Sequence, residues 1–193
     1  MRIISGKHKG KKLKTFNGFD VRPTSDKARE ALFSILFDKV YSCSFLDLCC
    51  GTGGVGLEAL SRGAKSVTFV DNSDESLKIC KFNLNSIKES ADIIKNDAIN
   101  FLKTTSKQFN LIYFDPPYIF DDIESVLKVI KERNLLLDGG IFMYEHKVDR
   151  QSINYCGYDL INTKKYGIAI IDFYKIQEEK LWKKLYLQAL LTL

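Results

Sequence analysis

SFLDLCCGTGGVGLEALSRGAKSVTFVD, residues 44–71, decides the fold. It reads as a buried strand (44–50), a glycine-rich turn, a helix stopping at Arg62–Gly63, and a second strand (66–71) that ends in an acid. Gly51, Gly53 and Gly56 form a GxGxxG between strand and helix. That spacing suits a tight turn, close backbone approach to a ligand, and close helix–strand packing. Asp71 lies 20 residues beyond Gly51, where its carboxylate can accept hydrogen bonds from both hydroxyls of a ribose. Together these features predict a nucleoside-containing cofactor. A dinucleotide such as NAD would set its pyrophosphate at the helix N-terminus, whereas S-adenosylmethionine would set a methionine moiety there. Asp47, ending the first strand, favours the second, because it offers a counter-charge to an ammonium and would repel a pyrophosphate.

Working outward, the same alternation continues. A helix over 74–89 carries Leu77, Cys80, Leu84 and Ile87 on one stripe, and IIKND (93–97) is a third strand. A brief helix spans 98–104, NLIYFD (110–115) is the fourth strand, and Ile123, Val126, Leu127 and Ile130 mark the next helix. GIFMYEH (140–146) is the fifth strand. Such alternation predicts a parallel sheet covered by helices on both faces. Two strand-like runs, 158–167 and 168–175, follow without a helix between them and meet at Gly167, so an antiparallel pair should close the sheet. Upstream, RIISGKHKGKKLKTF reads as a short β-hairpin turning at Gly6 and Gly10. SDKAREALFSILFDKV is an amphipathic helix capped by Thr24 or Ser25, with Ala28, Ala31, Leu32, Ile35 and Leu36 on its apolar face. Residues 177–193 read as a helical tail. The expected divisions are 1–40, a basic extension; 41–176, the α/β unit; and 177–193, the tail.

Of three prolines in the chain, two stand together in FDPPYIF (114–120). A strand entering two prolines stops pairing, since neither has an N–H to donate, and the residue before each is kept out of the helical region. The turn is stiff, and it lies at the carboxyl end of the fourth strand, beside the first, where a parallel sheet opens its ligand crevice. Asp115, Pro116, Pro117 and Tyr118 are therefore the candidate catalytic residues. The carboxylate of Asp115 and the carbonyl of Pro116 can accept the two N–H bonds of a planar exocyclic amino group, while Tyr118 offers a stacking face to a base taken out of its helix or loop. The simpler role of the prolines, terminating a strand, needs only one. Asp97 can accept a hydrogen bond from an adenine amino group with the Ala98 N–H donating to the ring, or it can cap the helix at 98.

Charge points to the partner. The 193 residues carry 29 Lys and Arg against 24 Asp and Glu, a net +5. Residues 1–30 hold nine of those cations and three of the acids, so the whole excess sits in one arm, as a polyanion-binding surface requires. Five cysteines without a CxxC pair read as reduced core thiols rather than a disulfide framework or zinc site. No metal site is indicated, no apolar run spans a bilayer, and the basic, polar N-terminus does not read as a secretory signal. A cytoplasmic monomer is expected.

At these motifs the chain resembles class I S-adenosylmethionine-dependent methyltransferases that act on amino groups. More closely it resembles the RsmD family of small-subunit ribosomal RNA guanine-N2 methyltransferases. The likeness runs over about 1–175 and rests on RIISGKHKGKKL, VRPTSDKAREALFSIL, FLDLCCGTGGVGLEALSRGAKSV, DPPY and the YG before the last strand. It implies a Rossmann-like α/β fold with a seven-stranded, mostly parallel sheet of order 3-2-1-4-5-7-6, the last strand antiparallel. It also implies S-adenosylmethionine as cofactor. The expected cofactor residues are Asp47, Cys49, Gly51, Gly53, Asp71, Asn72, Asp97, Ala98 and Asp115. Arg2, Lys7, Lys9, Lys11, Lys12 and Arg22 would contact small-subunit ribosomal RNA or a partly assembled 30S particle. Cys49–Cys50 and Asp71 depart from the family's usual residues there. Three other readings stay open: amino-methylation of adenine or cytosine in DNA or another RNA, an NAD-dependent oxidoreductase, and a non-catalytic RNA-binding assembly factor.

Overall fold

The computed structural model describes residues 1–16 and 26–177. The RPT stretch at 22–24, Arg22, the Thr24/Ser25 cap and the helix expected over 177–193, save Gln177, lie outside them.

After α1 (Asp26–Leu36), the chain runs β1 (Ser44–Leu48), α2 (Gly54–Ser61), β2 (Ser66–Asp71), α3 (Asp74–Ser86), β3 (Asp92–Lys95), α4 (Ala98–Thr104), β4 (Phe109–Phe114), α5 (Ile123–Glu132), β5 (Leu136–Lys147), β6 (Tyr158–Tyr166) and β7 (Ala169–Ile176). The strands form one seven-stranded sheet of order β3-β2-β1-β4-β5-β7-β6. The first five are parallel to one another, and β7 runs antiparallel to both β5 and β6. This is the class I methyltransferase topology that the sequence led one to expect.

Strand periodicity places the core on both faces. Phe45, Leu111, Tyr113, Ile141 and Met143 pack with α1, α2 and α3. Their neighbours Leu46, Ile112, Phe114, Phe142 and Tyr144 pack on the opposite face with α4 and α5. Because β1 pairs with β2 on one side and β4 on the other, the connections leaving β1 and β3 go opposite ways and open a crevice at the carboxyl ends.

Three local readings change. In α1 the buried face is Ala28, Arg29, Leu32, Phe33 and Leu36, rotated from the expected stripe so that a charged residue points inward and Ala31 and Ile35 sit at the margin. β5 begins at Leu136 rather than 140. Asp138-Gly139-Gly140, of turn composition, forms a bulge within the strand, with Gly139 at φ 70°. The basic arm is less regular than a hairpin of two strands: it doubles back through the single bridge Arg2↔Lys12. It is also not a loose tail. Ile3 and Leu13 are buried in the core, and Glu58 on α2, itself buried, accepts from the N–H of Ile4 at 2.7 Å and of Ser5 at 3.0 Å. Lys7, Lys9, Lys11 and Lys12 stay exposed. Of the five free cysteines, Cys43, Cys50 and Cys80 are buried as expected, Cys49 is half-buried, and Cys156, in the irregular segment before β6, is exposed.

Candidate active site

The carboxyl ends of β1 to β4 surround a crevice of about 1090 Å³. Asp47, Asp71, Asp97 and Asp115, one from each strand end, line it with Cys49, Gly51, Asn72, Ala98, Pro116, Pro117 and Tyr118. The fold thus brings together the expected cofactor residues and the Asp-Pro-Pro-Tyr turn. Gly53 is the exception. It adopts φ 83°, and a Cβ there would meet Cys80 Sγ at 2.6 Å, so its missing side chain serves the packing of α2 on α3. Gly51, by contrast, has nothing within 4 Å of where a Cβ would stand. Its backbone is open to a ligand, and Gly54, which the sequence reading passed over, also lines the crevice.

The acids are held by the backbone they organise. Asp47 Oδ2 accepts from the Gly56 N–H at 2.8 Å, satisfying an orphan donor in the first turn of α2. Burial raises the Asp47 carboxyl to about 7; the Gly56 hydrogen bond opposes that rise and Asp71 adds to it. Asp71 accepts from the Gly51 N–H at 2.8 Å and the Ser73 N–H at 2.9 Å. Each oxygen keeps a further lone-pair site, enough for two ribose hydroxyls. Asp97 is the N-cap of α4, accepting from the Asn100 N–H at 3.0 Å, so the capping role is real and leaves its second oxygen for a ligand. Cys49, in the left-handed region at φ 63°, is held protonated, because burial first and then the surrounding carboxylates push its thiol up.

The Asp-Pro-Pro-Tyr turn is tied to this frame. The Asp115 N–H donates to the Leu48 carbonyl at 3.3 Å, and the turn closes through Phe120 N–H to the Pro117 carbonyl at 2.8 Å. Pro116 is buried while Pro117, Tyr118 and Ile119 form an exposed lip. Lys147 Nζ stands 5.5 Å from the Tyr118 ring centroid, a cation–π contact without a signal in the sequence. Glu145 and His146, at the end of β5, are both buried. Glu145 lines the crevice floor and accepts from Tyr113 Oη. His146 faces away, its Nε2 3.0 Å from Asp172 Oδ2 and its Nδ1 2.9 Å from the Lys147 carbonyl. The polar pair Glu145–His146 continuing the apolar run GIFMY was the available hint that these groups turn inward.

A crevice so dense in carboxylates is suited to a positively charged ligand and hostile to a pyrophosphate. A sulfonium cofactor with an amino-acid ammonium fits this donor set.

The family model described as conserved hypothetical protein 95 matches residues 1–175. The Bacillus subtilis protein YlbH, named as a candidate rRNA methyltransferase, is 35% identical over 182 residues, covering 91% of this chain and 98% of its own. Ribosomal RNA small subunit methyltransferase D of Haemophilus influenzae is 33% identical over 180 residues, covering 91% and 93%. Among solved structures, a methyltransferase candidate from Escherichia coli, yhhF, superposes with a TM-score of 0.82 at 28% identity, covering 92% of this chain and 98% of that one.

Proposed function

This chain belongs to the RsmD family of methyltransferases, and from that premise we propose that it methylates the exocyclic 2-amino group of a guanine in small-subunit ribosomal RNA. The observation that carries the reading is the facing of two features across one crevice: a carboxylate-lined cofactor turn and a rigid Asp-Pro-Pro-Tyr turn. The Asp115 carboxylate and the Pro116 carbonyl support an amino group as the target, and the resemblance to the RsmD family supports guanine.

S-adenosylmethionine, when bound, supplies an electrophilic methyl carbon. Asp47 would face its ammonium, Asp71 its ribose, and Asp97 with Ala98 its adenine. An exocyclic nitrogen is a poor nucleophile while its lone pair is delocalised into the ring. Asp115 and the Pro116 carbonyl, accepting its two N–H bonds, would direct that lone pair at the methyl carbon and stabilise the positive charge growing on nitrogen. Hydrogen bonds involving a charged group contribute roughly 1.5–3 kcal/mol each, and ~1.4 kcal/mol is a decade of rate, so two give several decades. Tyr118, 41% exposed, would stack on the everted base. The exposed lysines of the docked arm, with Arg2, would meet the phosphate backbone. We read the substrate as a partly assembled 30S particle and the enzyme as a cytoplasmic monomer.

Mass spectrometry of nucleosides from ribosomal RNA tests this. A strain lacking the gene should lose one N2-methylguanosine that is restored by the parent gene but not by Asp115→Ala. Loss of a methyladenosine or methylcytidine instead would replace guanine as the target, and an unchanged profile would reject the reading.

A further inference from the structure

Among the described residues the cations avoid the crevice, with one exception. Seven carboxylate residues line it, and Arg29 is the single Lys or Arg among the described lining residues. Arg29 is fully buried on α1. Its Nη2 donates to the Arg2 carbonyl at 2.5 Å and to Asp26 Oδ1 at 2.9 Å. Its Nε and Nη1, which carry three of the five guanidinium N–H bonds, have no hydrogen-bond partner among the described residues. Buried donors left without acceptors destabilise a fold, so an arrangement that keeps three of them together calls for an absent acceptor.

The described neighbours do not provide one. Glu58 lies near enough to interact electrostatically, but its oxygens already accept from Ile4, Ser5 and Arg62. The guanidinium also lies beside the wrong end of a helix. A Cβ on Gly54, the first residue of α2, would come within 3.0 Å of Arg29 Nη1. A helix N-terminus carries partial positive charge and repels a cation. An anion between the two would satisfy both the orphan N–H bonds and the helix end.

We propose that Arg29 anchors the carboxylate of the cofactor's amino-acid moiety, a role that rests on the methyl-donor reading of the crevice. That carboxylate is the sole anionic group of S-adenosylmethionine, and its ammonium neighbour would face Asp47. The crevice then sorts the zwitterion: acids for the ammonium and sulfonium, Arg29 for the carboxylate. Arg29 sits in the helix after the RPT stretch, so α1 is part of the cofactor site as well as of the core.

Titration calorimetry with two ligands tests the anchor: S-adenosylhomocysteine, which keeps the amino-acid carboxylate, and 5′-methylthioadenosine, which lacks the whole amino-acid group. Arg29→Met should weaken S-adenosylhomocysteine about 10- to 100-fold and leave methylthioadenosine within about threefold. Arg29→Lys should fall between, since an ammonium keeps the charge without the planar fork. Thermal unfolding without ligand reports the fold, and if the Met variant does not fold the Lys variant decides. Equal loss for both ligands would overturn the anchor and make Arg29 a strut between arm and helix. Binding of neither ligand by the parent protein would overturn the methyl-donor reading itself, and the anchor with it.

Discussion

Replacing Asp47 by asparagine probes the electrostatics on which the crevice depends. Asp47 is 2% exposed, and burial lifts its carboxyl from 3.8 to about 7. In the unfolded chain the same group ionises near pH 4. The folded state therefore keeps a proton that the unfolded state releases between those values. The stabilisation from this group is fully present below the unfolded value, falls as pH rises through the window, and is gone above about pH 7. Each pH unit within the window changes stability by ~1.4 kcal/mol, so a rise of about three units amounts to about 4 kcal/mol. Asparagine keeps an acceptor for the Gly56 N–H and does not titrate. The stability of Asp47→Asn relative to the parent should thus increase by about 4 kcal/mol between pH 4 and pH 8, measured by urea unfolding of both proteins without ligand. The difference between the two proteins cancels every other titrating group. A flat difference, within about 1 kcal/mol over that range, would refute the claim that the carboxylate is held in a desolvated site. Calorimetry at pH 6 adds a second check: an ammonium facing Asp47 favours its ionised form, so S-adenosylhomocysteine binding should release a proton in the parent and not in the variant.

Pro117→Ala should leave S-adenosylhomocysteine affinity nearly unchanged and slow single-turnover methyl transfer about 10- to 100-fold, because it loosens the turn that positions Asp115 and Tyr118 without touching the cofactor side; parallel loss of binding and rate would mean the turn supports the fold more than the chemistry. Gly56→Ala places a Cβ 2.3 Å from Phe69 Cε1 and 2.9 Å from Val67 Cγ1, so urea unfolding should show a loss of about 1–3 kcal/mol, and a variant as stable as the parent would contradict the close packing of α2 on β2.

The legible parts were those in which local pattern and tertiary environment demand the same residue. Apolar runs bounded by glycine or acid marked β1, β2 and β4 to within two residues, since a parallel strand covered on both faces has no polar positions to blur its ends. Asp71 and Asp115 were placed because strand ends carry them into the crevice. Where two causes compete, sequence spacing could not choose. Gly53 and Gly51 occupy equivalent places in one motif, yet one faces Cys80 and the other open space. Asp97 caps a helix and lines a crevice at once. Asp138-Gly139-Gly140 has turn composition but sits inside a strand, because pairing with β4 outweighs local preference.

Residue order by itself determined the alternation of strand and helix, the parallel sheet with an antiparallel close, the nucleoside-type turn and the rigid amino-group turn, because period, glycine and proline act over a few neighbouring residues. Which face of α1 turns inward, that Arg29 and Glu145 are buried beside the crevice, and that the basic arm is docked on Glu58 were decided only by the tertiary structure. Each of those depends on groups far apart in the chain meeting where water is excluded, and the free energy of a buried charge is set by what surrounds it rather than by its neighbours in sequence.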